Sequence, residues 1–196
     1  ISDFKFTKHR LGCTDTCTNI FLTDANIRLT DFYLNDGYVT ADLRHMRYTD
    51  ENRFSLHDLK TKVSYQEDHI SFTDLYFKTD ASEVQGEATM EFGEGDFDNF
   101  LDRVRIHGKF EESTFSSNEF KSYLPDFPQF DVFKLSGKFN GTVNHFDVKN
   151  CKIELGNQTR FAGEIHIDEP TESSLLHIKT RIKQMRTTPQ EFRKYV

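Results

Sequence analysis

The sequence predicts an all-β fold: a long curved antiparallel sheet folded as an open groove, a β-taco, with short helices between strands. Three observations carry that expectation. Apolar and polar residues alternate with period two over runs of about nine residues, which gives a strand one greasy face and one wet face. The 196 residues include 20 Phe and 7 Tyr beside 29% charged residues. That mixture implies segregation of the two kinds, since disordered chains are poor in aromatics. Third, the pattern recurs after about 72–77 residues, and so long an internal period implies stacked supersecondary units.

Strand signals dominate from Ile20 onward. Between 84 and 92, Val84, Gly86, Ala88, Met90 and Phe92 share one side, with Gln85, Glu87, Thr89 and Glu91 on the other. Val104, Ile106, Gly108 and Phe110 oppose Arg103, Arg105, His107, Lys109 and Glu111. Leu135, Gly137, Phe139, Gly141 and Val143 oppose Lys134, Ser136, Lys138, Asn140 and Thr142. The pattern returns with Phe161, Gly163, Ile165 and Ile167, then with Leu176, Ile178 and Ile182. Strands of this length reach about 30 Å. The earlier runs 54–65 and 70–77 change parity near His57–Asp58 and Thr73–Asp74, and a bulge at each would restore the alternation.

Helix signals are short. Ser116-x-x-Glu119 reads as a capping box, with Phe115 and Phe120 as a staple and Pro125 ending the turn. Thr188-x-x-Glu191 repeats it, with Pro189 at the first helical position. These two segments expose the repeat: a shift of 72 lays 104–124 on 176–196, with Ile106/Ile178, Glu119/Glu191, Phe120/Phe192 and Tyr123/Tyr195 identical. A shift of 77 lays Val84–Glu87 on Phe161–Glu164. The organisation expected is an N-terminal β-rich segment 1–54, a first groove repeat 55–125 and a second 126–196. Together they would form one continuous array that is a slice of something longer.

A net charge of -7 opposes a nucleic-acid surface, which needs a basic stripe, and leaves no polybasic patch for anionic membranes. No apolar run approaches the ~20 residues of a membrane-spanning helix. Cys13 and Cys17 lie four apart with His9 four before. Gly12 and the threonines disfavour the helix that a metal site would need there, so a local disulfide is the better reading in an oxidising compartment. Cys151 alternates with apolar residues and reads as a small buried hydrophobe. No nucleophile elbow, phosphate-binding glycine loop or His-x-x-x-His pair occurs, and the strand histidines His107, His166 and His177 fall on polar faces. The chain therefore reads as a non-enzyme without cofactor or metal. Glu94–Asn99 lacks the spacing of a calcium loop and reads as a turn. Asn140-Gly-Thr142 and Asn157-Gln-Thr159 are formal glycosylation sequons. Gly86, Gly108, Gly137, Gly141 and Gly163 all sit on the apolar side. They mark either sheet curvature or space along an apolar trough.

The run Phe72–Phe92, with Ser82-Glu-Val84-Gln-Gly86 inside it, resembles the repeat of the AsmA-like superfamily. Leu135–Val143, Val148–Cys151 and Thr159–Ile165 repeat that grammar, and Phe115–Phe120 and Thr187–Phe192 are similar to segments of its TamB branch, the translocation and assembly module. The resemblance covers about 55–196; it does not extend to the Cys13/Cys17 region. It implies a segment of a periplasmic, inner-membrane-anchored envelope protein, with the anchor outside this chain. Its groove would carry phospholipid acyl chains toward the outer membrane or support assembly of outer-membrane proteins with a barrel partner. The lining would be Val84, Ala88, Met90, Phe92, Val104, Ile106, Phe110, Leu135, Phe139, Val143, Phe161, Ile165, Leu176 and Ile178. The alternative is a non-catalytic scaffold that binds a protein by edge-strand addition. A glycan-binding sandwich would need aromatics on the polar face, where the clear strands carry charges.

Overall fold

A computed structural model describes residues 22–50, 54–120, 132–156, 158–172 and 174–192. The chain is all-β. Ten strands form one open antiparallel sheet in strict sequence order. They are β1 (Leu22–Asn35), β2 (Tyr38–Asp50), β3 (Ser55–Tyr65), β4 (His69–Lys78), β5 (Glu83–Glu91), β6 (Arg105–Phe115), β7 (Phe133–Gly141), β8 (His145–Leu155), β9 (Thr159–Asp168) and β10 (His177–Arg186). Every strand pairs with its neighbours in sequence, as tight connections demand, and β1 and β10 are the two edges. The β1–β2 connection is the two-residue turn Asp36–Gly37, whose φ values of 43° and 82° are the double positive that an inward-twisting hairpin needs.

Helix is confined to single turns. A 3-10 turn (Asp96–Asn99) runs into α1 (Phe100–Arg103) between β5 and β6. Another 3-10 turn (Ser117–Phe120) follows β6, and α2 (Pro189–Phe192) follows β10 with Pro189 at its first position, as the sequence implied. The first capping box works differently from its sequence reading. Ser116 N donates to Ser82 Oγ at 3.0 Å, while the Glu119 carboxylate reaches back to the β4–β5 turn. There it accepts from Thr79 Oγ1 (2.7 Å), the Ala81 amide (2.8 Å) and Ser82 Oγ (2.5 Å). Those donors sit in the tight turn 79–82, where Thr79 Oγ1 also lies 3.3 Å from the Ser82 carbonyl, so the carboxylate ties two connections together at one end of the sheet.

Both parity breaks read in the sequence are register shifts. On β3 the pairing steps from Met46↔Leu59 to Tyr48↔Leu56, which places an extra residue at His57–Asp58. On β4 it steps from Phe72↔Ala88 to Leu75↔Gly86, which places one at Thr73–Asp74. Asp74 takes φ 54°, as do its counterparts Asp31 and Asn150 at φ 51°. Asp and Asn tolerate this left-handed conformation best among residues with a Cβ.

Each even-numbered strand carries a bulge at mid-length. They lie between Leu43 and Met46, Phe72 and Leu75, Phe110 and Ser113, Val148 and Cys151, and Ile182 and Gln184. The bulges restore one-sidedness, so the same face stays apolar along the full length of every strand. The buried apolar side chains lie along this line or toward strand ends: Ala25, Leu43, Leu56, Val84, Val104, Val148 and Cys151. Contacts between elements run almost wholly between sequence neighbours, and no second layer of described residues packs on the sheet.

Candidate functional site

The registers join into rows that cross the sheet. One runs Leu34–Val39–Tyr65–Ile70–Met90–Ile106–Gly141–Phe146–Ile167–Ile178 through all ten strands. The next runs Ala41–Val63–Phe72–Ala88–Gly108–Phe139–Val148–Ile165–Thr180. Beyond the bulges, Ile27–Met46–Leu59–Phe77–Val84 and Ser113–Leu135–Ile153–Phe161–Met185 continue the same face. An apolar band three to four residues deep therefore spans the whole width. Most of its side chains are half-buried, because each is covered by its cross-strand neighbours and by no facing layer.

Of the lining residues read from sequence, Ala88, Met90, Ile106, Phe110, Leu135, Phe139, Phe161 and Ile165 stand on this face half-buried, and Ile178 is 52% exposed on the edge. Val84, at the end of its row, and Val104 are covered by the chain itself, at 5% and 0% exposure. Phe92, Val104, Val143 and Leu176 lie just outside strands. Phe92 joins a rim of rings: it stacks on Tyr65 at 6.4 Å and meets Phe97 at 4.7 Å, and Phe97 continues to Phe100 at 6.2 Å. At the far end Phe115 bridges Phe110 (5.9 Å) and Phe133 (5.8 Å). Sequence reasoning missed Phe72, Phe146, Ile153 and Ile167 as lining, although their alternation with polar neighbours was the available signal.

The apolar-side glycines are places where backbones approach. A Cβ on Gly86 would collide with the Lys109 carbonyl oxygen, one on Gly141 with that of His145, and one on Gly163 with that of Arg181. At Gly137 it would meet Val148 Cγ1 at 2.9 Å, and at Gly108 the Glu87 carbonyl at 3.2 Å. Neighbouring strand fills each position, which supports the curvature reading of these residues over the reading as open space. Cys13 and Cys17 lie outside the described residues; Cys151 is a buried free thiol whose pKa burial pushes up to about 11.

The opposite face is a lattice of ion pairs. Its central row, Tyr33–Thr40–Ser64–Ser71–Thr89–His107–Asn140–Asp147–His166–Lys179, is polar from edge to edge. Each of the seven described histidines lies beside a carboxylate. The pairs are His45–Asp58 (2.6 Å), His57–Asp80 (2.5 Å), His69–Asp68 (2.7 Å), His107–Glu91 (3.0 Å), His145–Asp168 (3.1 Å), His166–Asp147 (3.0 Å) and His177–Asp168 (3.4 Å). The hydrogen bond to Asp168 raises the pKa of His145, and the same bond, with one from His177, lowers that of Asp168. Among the described residues no group of His, Cys, Asp or Glu is arranged to hold a metal ion. No helix there is long and apolar enough to cross a membrane. Comparison with protein-family models, with curated proteins and with solved structures finds no match.

Proposed function

We propose that this chain is a non-catalytic segment of a periplasmic envelope-biogenesis protein, and that its apolar sheet face shields phospholipid acyl chains in transit between inner and outer membranes. One observation carries the reading: an apolar band runs unbroken across ten strands with no layer of described residues over it. A sheet face of that kind must be covered in water, and acyl chains gain ~0.8 kcal/mol per CH₂ withdrawn from water. The likeness of 55–196 to AsmA-like repeats supports the same assignment and, with it, the periplasmic setting and an anchor supplied outside this chain. The polar lattice keeps the other face wet. Ile106 and Phe139 are adjacent-row residues near the middle of the band, so Ile106→Arg or Phe139→Arg places a charge in the path. Photocrosslinking to an acyl-chain probe should fall by about tenfold or more, the effect of ~1.4 kcal/mol or greater, with β circular dichroism retained. Undiminished crosslinking in both folded variants would sink the reading, as would purified protein free of phospholipid in native mass spectrometry.

A further inference from the structure

We propose that the β3–β4 and β5–β6 connections form a docking surface for a basic amphipathic helix of a partner protein. Its apolar stripe seats on Phe97 and Leu101, and its cations face the surrounding carboxylates. The surface is independent of acyl chains on the apolar face. It also lies in the interior of the sheet, where β3–β6 have strands on both sides.

Apolar side chains meet water there. Tyr65, Phe92, Phe97 and Phe100 form one run of rings, with Phe97 50% and Tyr65 37% exposed, and Leu101, next in sequence, is 39% exposed. Single exposed apolar residues are ordinary, whereas a contiguous set marks a contact surface. Phe97 and Leu101 are four apart across the 3-10 turn and α1, the spacing that sets two side chains on one side of a helical ridge. The segment is fixed at both ends. The Phe92 amide donates to the Asp68 carbonyl (2.9 Å), the Asn144 amide to the Leu101 carbonyl (3.0 Å), and Asn144 Nδ2 to Asp102 Oδ1 (2.8 Å). Val104 is fully buried where the segment enters β6. The apolar groups are thus held in place before any contact, which lowers the ordering cost of binding.

Charge names the partner. The two connections carry Glu67, Asp68, Glu94, Asp96, Asp98 and Asp102, and their one Lys or Arg is Arg103, 3.8 Å from Asp96. The adjoining strand ends add His69, 2.7 Å from Asp68, His107, 3.0 Å from Glu91, and Arg105 at the start of β6. Carboxylates outnumber these cations, and the exposed Glu94 and Asp98 stand either side of Phe97 in the chain. An anionic bilayer would repel such a surface, since segments that lie on membranes are rich in Lys and Arg. A helix with Lys or Arg beside an apolar stripe meets both requirements, ridge packing at Phe97 and Leu101 and opposite charge around them.

The probe is a synthetic helix of about 18 residues, five turns, with Leu along one stripe and Lys elsewhere; its control carries Glu for every Lys. In calorimetry the intact chain should bind the Lys peptide with a Kd of about 1–100 μM, more weakly as salt rises, and should not bind the Glu peptide. Phe97→Ser/Leu101→Ser should weaken binding about tenfold or more. Glu94→Gln/Asp98→Asn should weaken it several-fold and flatten the salt dependence. Glu87→Gln/Glu111→Gln removes the same charge from the polar face and should change little. A wild type that binds neither peptide, or both alike, overturns the proposal. So does an affinity that Phe97→Ser/Leu101→Ser leaves unchanged, or that both charge pairs lower equally. Phosphatidylglycerol vesicles bound through Phe97 and Leu101 would assign the surface to membrane, and self-association lost in the serine variant would assign it to a second copy; either result overturns the proposal. If the serine variant loses its β circular dichroism, the comparison of the two exposed charge pairs decides alone.

Discussion

A Cβ on Gly86 would fall on the Lys109 carbonyl oxygen, and one on Gly163 on that of Arg181. In β3 the matching position is Thr61, whose hydroxyl donates to the Thr73 carbonyl at 3.0 Å. Odd strands thus answer the neighbouring bulge either by having no side chain or by offering a small donor. Gly86→Val should accordingly destabilise the fold by about 1–3 kcal/mol, the cost of forcing a side chain into filled space, read as a lower urea midpoint. The apolar placement of this glycine was legible in the alternation of 84–92. The backbone that fills its missing side chain was not, because Lys109 becomes a neighbour only through pairing across β5 and β6. The same limit hid Ser113. Its hydroxyl accepts from the Gln85 amide at 3.0 Å and donates to the Gln85 carbonyl at 3.2 Å, satisfying a stretch of β5 that the ladder skips.

Among the elements, the mid-length bulge carried by every even-numbered strand subdivides the repeat. The 72-residue offset lays β6 on β10, four strands on, whereas the bulge pattern returns every second strand. The breaks at His57–Asp58 and Thr73–Asp74 were readable because apolar residues flank them on both sides. Lys149–Asn150, between Val148 and Cys151, carried the same signal, whereas Glu111–Glu112 is followed by the polar Ser113, which leaves the parity there ambiguous. In β1, shifts near Asp24 and Asp31 break the period twice within fourteen residues, which is why 1–54 resisted assignment even though Asp36–Gly37 is a strong turn signal. The connections have their own lock. Glu119→Ala removes three hydrogen bonds to a carboxylate and leaves Thr79, Ala81 and Ser82 without that acceptor. We expect a loss of about 2–3 kcal/mol and, in hydrogen exchange, faster exchange at the Ala81 amide than at mid-strand amides.

For the whole molecule, the pairing of His145 with Asp168 on the polar face makes stability depend on pH. His145, of raised pKa, is joined through Asp168 to His166 and His177, and it also lies 3.4 Å from Glu169, with Asp102 adding to the shift. A raised histidine contributes fully below its unfolded value of about 6.5 and loses the contribution as pH climbs through its folded value. Asp168, lowered, contributes above its unfolded value of about 4 and loses that as pH falls further. The melting temperature should therefore peak between about pH 4 and 6.5 and decline toward pH 8, and His145→Gln should flatten the decline. A slope of equal size in that variant would exclude the cluster as the cause. The strict order of the strands has a further consequence. No strand depends on a partner distant in sequence, so an inserted or deleted strand pair alters the sheet's width by about 10 Å and restores the original polarity and both faces. Length is then an adjustable quantity, and a lineage could tune it to a gap of any size by duplicating hairpins without redesigning what each hairpin touches.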